Sequence, residues 1–279
     1  MAAPELSVIV PTYGRAEDVV RAVDSALAQE VDAEVIVVDD ASPQPIVISR
    51  DRVSVLRLST NLGAAGARNA GVAAAKTEWI AFLDSDDIWT PGSLRQRLDA
   101  ARAAHDADRT ILVAGFADVW PDGRRAVRIP KASARLADFA SGCWTCPGST
   151  ALLKREAWVR SGGQDATLRR LEDYDWLLRW IESGGRLAVH DSVAANITRG
   201  RRASPASIIE AAAYLRRKHA ALPDPLIRRM KSYLALELGA ARIHAGGNLA
   251  GVCALAWSWL LHPRLHAALE PFWRRQIGE

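Results

Sequence analysis

A chain of 279 residues that is 49% hydrophobic can bury a substantial core, as one large domain or as one domain with a helical appendage. Its net charge of +4 is unevenly spread: from Arg199 to the end there are 13 Lys and Arg against 5 Asp and Glu, and before it 23 against 27. Three cysteines are too few for a secreted disulfide scaffold, and the lone Cys143-x-x-Cys146 with Cys253 far away is too little for a zinc site.

The chain opens Met-Ala-Ala-Pro-Glu5 with no basic segment, which predicts no signal peptide, free thiols and a cytoplasmic location. Leu6 to Val10 is an apolar run that exits at Pro11-Thr-Tyr-Gly-Arg15. Val19, Val20, Val23, Ala26 and Leu27 fall on one helical face. Val35 to Val38 is a second buried strand, closing on Asp39 and Asp40, and Val53 to Leu58 a third. Asn61 to Gly71 is a Gly/Ala-rich loop that runs into a helix. It matches neither nucleotide-loop pattern, but Arg68 places a fixed charge at a helix start, where it could meet a phosphate or an acidic cluster.

The next apolar run, Ile80 to Leu83, stops at Asp84, Asp86 and Asp87. Such crowding costs stability through repulsion unless a cation joins it. Asp84 and Asp86 are two apart, so an extended chain would point them to one side, where hard oxygen donors suit Mg or Mn. The alternative is a solvated turn leading to a helix capped by Thr90 with Pro91 at its first position. Thr110 to Ala114 is a further strand, and Asp118 to Ala140 reads as a polar loop region with a turn at Asp122-Gly123.

Gly142 to Thr150 leads into a strand at Ala151 to Leu153; Trp144 could be a ring platform for a sugar or a plug in the core edge. A turn at Ser161 to Asp165 precedes a helix with Glu172 and Asp173 in its first turn, where the helix dipole favours an anion. Such carboxylates can cap the helix or accept a proton from a hydroxyl. Arg186 to His190 and Ala194 to Thr198 are strand-like, and Arg199 to Pro205 reads as a hinge. Helices are predicted over 206–221, 225–245 and 249–261, with a last piece over 264–276. The apolar run from Leu249 to Leu261 is too short to cross a bilayer. Trp257, Trp259, Phe272 and Trp273 interleave with Arg264, Arg274 and Arg275, which suits either an interfacial helix on anionic lipid or packing against the sheet domain or a second copy. The basic charge is too dispersed for a nucleic-acid module.

Strands alternating with helices predict a mostly parallel α/β sheet over residues 1–200, binding ligand beyond the strand ends, with a helical region over 201–279. Five stretches make a family resemblance specific: Ser7 to Arg15, Val37 to Ser42, Asn61 to Gly71, Phe82 to Asp87 and Leu171 to Trp176. In this order and spacing they resemble the family 2 glycosyltransferases of the GT-A fold. The resemblance implies transfer of a sugar from a nucleotide-sugar, often UDP-linked, to a hydroxyl of a saccharide or lipid-linked saccharide, with inversion. It implies that Pro11, Thr12, Tyr13, Arg15, Asp40, Arg68, Asp84 and Ser85 contact the nucleotide, with Asp86 and Asp84 on a Mg or Mn ion. Asp173 would be the base with Glu172 beside it, and Trp144 and Trp176 would face the acceptor. Many relatives carry a His after the last strands; Thr198 to Ser204 has none, and the arginines there could take over part of the metal's role. Peripheral contact with the inner face of the membrane and a homodimer are compatible with the C-terminal helices. A sugar nucleotidyltransferase and a scaffold that has lost catalysis are the competing readings.

Overall fold

Short apolar runs in which every residue is buried suit interior strands, whose backbone is satisfied by a neighbour on each side. The computed structural model describes residues 4–200, 203–263 and 273–274. The elements run β1 (Leu6–Thr12), α1 (Ala16–Leu27), β2 (Ala33–Asp39), β3 (Val53–Arg57), α2 (Gly63–Ala74) and β4 (Trp79–Phe82). Then come a two-residue β5 (Ile88–Trp89), α3 (Ser93–Ala103), β6 (Thr110–Val119), β7 (Arg125–Pro130) and the short helices α4 (Leu136–Ala140) and α5 (Pro147–Thr150). β8 (Leu152–Lys154), α6 (Arg155–Arg160), α7 (Glu172–Glu182) and β9 (Arg186–Thr198) complete the sheet part. Helices α8 (Pro205–Lys218), α9 (Asp224–His244) and α10 (Asn248–Leu261) follow, and Trp273–Arg274 form β10.

The sheet order is β10-β7-β6-β8-β4-β1-β2-β3, with β9 pairing β6 and β5. β3, β2, β1 and β4 are parallel, and β8 is antiparallel to both β4 and β6. This is the expected mostly parallel sheet flanked by helices. Alternate residues feed two apolar layers. Leu6, Val8, Val10, Val35, Val37, Trp79 and Ala81 pack with Val19, Val23, Leu94 and Leu98 of α1 and α3. Ile9, Ile36, Val38, Ile80 and Phe82 face the other side, against Ala67 and Val72 of α2 and Trp176 and Leu177 of α7.

Several boundaries differ from expectation. Thr90 does not cap α3, which opens at Ser93 after Gly92, because the Thr90 hydroxyl donates to Val193 O of β9 at 2.5 Å. The polar stretch 118–140 is built rather than looped: β6 runs on to Val119, turns through 120–124, returns as β7 and ends in α4. The two strand patterns near the end of the sheet part are one strand, β9, shifted in register opposite Gly115. Trp273–Arg274, expected as helix, pair antiparallel with Ile129 and Pro130; the rest of the 264–276 piece lies outside the described residues.

Near residue 200 the chain passes from β9 to α8. Ser204 caps α8 by accepting from Ser207 N at 3.2 Å, with Pro205 in the first turn. Leu215 of α8 and Met230, Tyr233 and Leu234 of α9 nevertheless share the apolar layer of Phe139 and Trp176. Among the described residues, no helix is long and apolar enough to cross a membrane.

Candidate active site

At the carboxyl end of β4 the chain turns, closed by Asp87 N donating to Asp84 O at 3.0 Å. A turn is not an extended chain, so the expectation that Asp84 and Asp86 share a side by alternation does not hold. The Asp84 carboxylate goes to Arg68, 2.5 Å away, whereas Asp86 pairs with Arg15. Asp87 points inward: its carboxylate accepts from Ser149 Oγ at 2.5 Å and from Thr198 N at 2.8 Å. Burial and the charges of Asp84 and Asp86 push its carboxyl up to about 8.

Arg68 is the hub. It rises from the first turns of α2 and is buried at 3% exposure, so its charge requires partners close by. Its Nη2 donates to Asp84. Its Nη1 lies 3.1 Å from Gln164 Oε1, 3.5 Å from Glu172 and 3.6 Å from Asp173. One guanidinium thus joins the end of β4 to the start of α7, and the partner it meets is the acidic cluster. Three carboxylates around one cation hold that proton tightly on Arg68 and leave surplus negative charge. Asp173 carries the consequence: burial, with the charges of Glu172 and Asp84, outweighs Arg68 and pushes its carboxyl up to about 7.

Gln164, absent from the sequence expectations, orients this carboxylate. Its Nε2 donates to Asp173 Oδ1 while its Oε1 accepts from Arg68. Its own backbone is clamped by Asn69, which accepts from Gln164 N at 3.1 Å and donates to Gln164 O at 2.7 Å. Gly148 of α5 lies against the same pair: a Cβ there would sit 2.4 Å from Asp84 Oδ2 and 2.6 Å from Arg68 Nη2. Ser149 and Gly148 come from a stretch that reads in sequence only as an approach to a strand. Nothing in local pattern marks them, because the partners of the Ser149 side chain, Asp87 and Asp84, lie 62 and 65 residues away.

The ends of β1 and β2 lie side by side, with Thr12 opposite Asp39. Tyr13 is half exposed (51%), and Pro11 and Thr12 are buried, the Thr12 hydroxyl without a partner. Asp40, expected to face a base, accepts from Leu62 N at 2.6 Å and Gly63 N at 2.8 Å and fixes the start of α2. Asp39 is a structural anchor, held low despite burial by Ser42, Ile46 and Arg57. Ser85 is buried within the turn.

Trp144 and Trp176 offer no platform to an acceptor, which corrects that expectation. Trp144 is 1% exposed, donates to Lys131 O and stacks on Phe139; Trp176 is wholly buried, donates to Ser161 Oγ and stacks on Trp158. Burying each indole contributes more there, about 1.5–3 kcal/mol on the scale of large apolar side chains, than exposure would allow. His190 sits in β9 with Nδ1 2.7 Å from Ser192 Oγ. Arg199 is committed to Asp118 at 2.6 Å, and Arg201 and Arg202 lie outside the described residues.

Among the described residues no three His, Cys, Asp or Glu side chains are grouped to hold a metal. The donor set nevertheless fits a hard divalent ion. Asp84 and Asp86 each keep about a third of their side chain exposed, and their charges add to the burial that drives Asp87 towards protonation. A cation would relieve that charge with one or two protein oxygens, its other positions left for phosphate and water.

The chain is 37% identical over 213 residues to the succinoglycan biosynthesis protein ExoO of Rhizobium meliloti (strain 1021), an alignment covering 68% of this chain and 59% of that one. The chain therefore spans about three fifths of that relative's length. It is 29% identical to the amylovoran biosynthesis glycosyltransferase AmsB of Erwinia amylovora, over 68% of each chain. S. aureus TarS in complex with UDP-GlcNAc superposes with a TM-score of 0.60 at 19% identity, over 93% of this chain and 82% of that one, a likeness of fold. The Glycosyl transferase family 2 pattern matches residues 7–160, more than half of the sequence. The chain belongs to glycosyl transferase family 2.

Proposed function

We infer that this chain transfers a sugar from a nucleotide-sugar, UDP-linked, to a hydroxyl of a saccharide or lipid-linked saccharide acceptor in polysaccharide or glycolipid assembly, with inversion. Family membership supplies the reaction class. The UDP-GlcNAc held by TarS and the polysaccharide pathways named for ExoO and AmsB support the donor and the setting. The single observation that carries the reading is the Arg68 guanidinium that brings Asp84 together with Glu172 and Asp173.

Tyr13, exposed just beyond β1, would cover a nucleoside, and Arg15, now paired with Asp86, would meet phosphate once Asp86 is drawn to a cation. Asp84 and Asp86 would hold a Mg or Mn ion, which when bound neutralises the departing diphosphate. Asp173 takes the proton of the acceptor hydroxyl. A carboxyl titrating near 7 is ionised in a useful fraction at neutral pH and is basic enough to accept a proton. Gln164 donates to Asp173 and Arg68 lies on its flank, so the carboxylate is held in one orientation before the acceptor arrives. Glu172, also beside Arg68, raises the Asp173 carboxyl through its charge.

Calorimetric titration with UDP-sugars, with and without Mn, followed by product analysis on saccharide acceptors, tests the reading. Binding of a UDP-sugar and formation of an inverted glycoside are expected. Absence of nucleotide binding both with and without Mn would overturn it.

A further inference from the structure

Helix α10 is packed the opposite way from the rest of the molecule, against an α9 that turns Met230, Tyr233 and Leu234 into the core. α9 and α10 run antiparallel, as their contacts show: Ser232 Oγ lies 2.7 Å from Ser258 O, Ser258 Oγ 2.6 Å from Ser232 O, and Gly239 abuts Gly251. The face that α10 buries is small: Gly251, Ala254 and Ser258. A Cβ on Gly251 would come within 2.5 Å of Ile243, and one on Gly239 within 2.7 Å of Leu255, so the approach requires glycine at both positions. The bulky side chains point outward. Leu249, Val252, Trp257, Trp259 and Leu260 are 56–79% exposed, and α10 carries no charged residue from Asn248 to Leu261. Small residues and reciprocal serine hydrogen bonds inside, with leucine and tryptophan outside, is the arrangement of helices whose surroundings are apolar.

The geometry points to an anionic lipid surface as the occupant of this face. Charge selects it. Because Ser232 pairs with Ser258, the last turn of α10, with Trp257, Trp259 and Leu260, lies abreast of the first turns of α9, where Arg228 and Lys231 are exposed. The last turn of α8 leads into that same end with Arg216 and Arg217, also exposed. Tryptophan and basic side chains therefore gather at one end of the helix group, whereas the sheet part carries a net negative charge. With 14 residues, α10 is about 21 Å long, short of a bilayer's hydrocarbon core, so it lies in the interface rather than across it.

The docking stands on the helix pair alone; one consequence rests on the transferase reading. α9 packs through Tyr233 on Tyr174, ring centroids 4.8 Å apart, and Tyr174 is the neighbour of Asp173. A docked α10 thus holds the proposed base at a fixed offset from the lipid surface, which suits an acceptor carried on a lipid.

The test is sedimentation of the full chain with vesicles of phosphatidylglycerol or of phosphatidylcholine, without nucleotide. Wild type is expected on phosphatidylglycerol vesicles, with binding weakened at least about tenfold in W257S/W259S/L260S and by high salt. R228E/K231E is expected to lose the preference for phosphatidylglycerol. All five side chains are exposed, so both variants fold, and thermal melts check it. Equal sedimentation of wild type and the triple variant, no binding at all, or equal binding to both vesicles would overturn the proposal. So would a stable lipid-free dimer that the triple variant dissolves. UDP titration of the same samples reports on the transferase reading separately, since α10 lies outside the acidic site.

Discussion

Two carboxylates on one helix, two residues apart, are built to opposite purposes. Asp173 shares a single guanidinium with Asp84 and Glu172 and keeps part of its surface open, and its carboxyl is pushed up to about 7. Asp175 is wholly buried and faces several donors: His219 Nε2 at 2.8 Å, Lys218 Nζ at 2.9 Å and Arg179 Nε at 2.8 Å. Those hydrogen bonds overcome its burial and hold its carboxyl low. One acid has too few cations and its carboxyl is driven up; its neighbour has a surplus of donors and serves as a rivet between α7 and α8. The ratio of charges around a carboxylate, more than its burial, separates the two.

The comparison breaks most visibly at Asp173 itself. Asp173→Asn should lower turnover by roughly 10²–10⁴-fold, the usual contribution of a general base, while UDP-sugar binding by calorimetry persists. Wild-type turnover would remove Asp173 from its role. Asp175→Ala should do the reverse, costing about 2 kcal/mol of stability in denaturant melts because it leaves His219, Lys218 and Arg179 without their buried acceptor, with the chemical step of the folded fraction little changed. Gln164→Leu sharpens the contrast. Losing a donor to the ionised Asp173 should raise the ascending limb of the kcat/KM profile, expected near 7 in wild type, by about one pH unit. An unmoved limb would reduce Gln164 to a packing residue.

The smallest effect is on stability against pH, and the two acids differ in sign. A carboxyl raised in the folded chain binds its proton more tightly there than in the unfolded chain. Through Asp173, then, stability falls as pH climbs from about 4 towards about 7. Asp175 is held low, so its contribution is present above its ordinary value near 3.8 and is lost as pH falls through its folded value. Thermal melts should show Asp173→Asn losing ground to wild type on acidification from about pH 7 to about pH 5.

The strands were legible because burial on both faces writes unbroken apolar runs, as at Val8 to Val10 and Val35 to Val38. So were the strand-end acids and the acids opening α7, which interrupt a pattern. The assembly was not. Arg68 and Glu172 are 104 residues apart, and neither spacing nor propensity carries that pairing. Alternation misplaced Asp84 and Asp86 because it assumes an extended chain, and the turn hydrogen bond from Asp87 ends that assumption. Trp144 and Trp176 misled for another reason: an indole's composition is the same whether it stacks on a sugar or on Phe139. Gln164 and Ser149 lie in turn and loop stretches and become informative only through their partners.

At Gly148 the molecule depends on a group it lacks. The peptide passes so close to Asp84 and Arg68 that the room a methyl would take is already filled by their oxygen and nitrogen. Gly148→Ala would therefore act as a wedge one carbon wide, prising the arginine from its acid while every charged residue stays in the chain. Position 148 is a mechanical handle on the Arg68–Asp84 pair, one that leaves both charges in the chain.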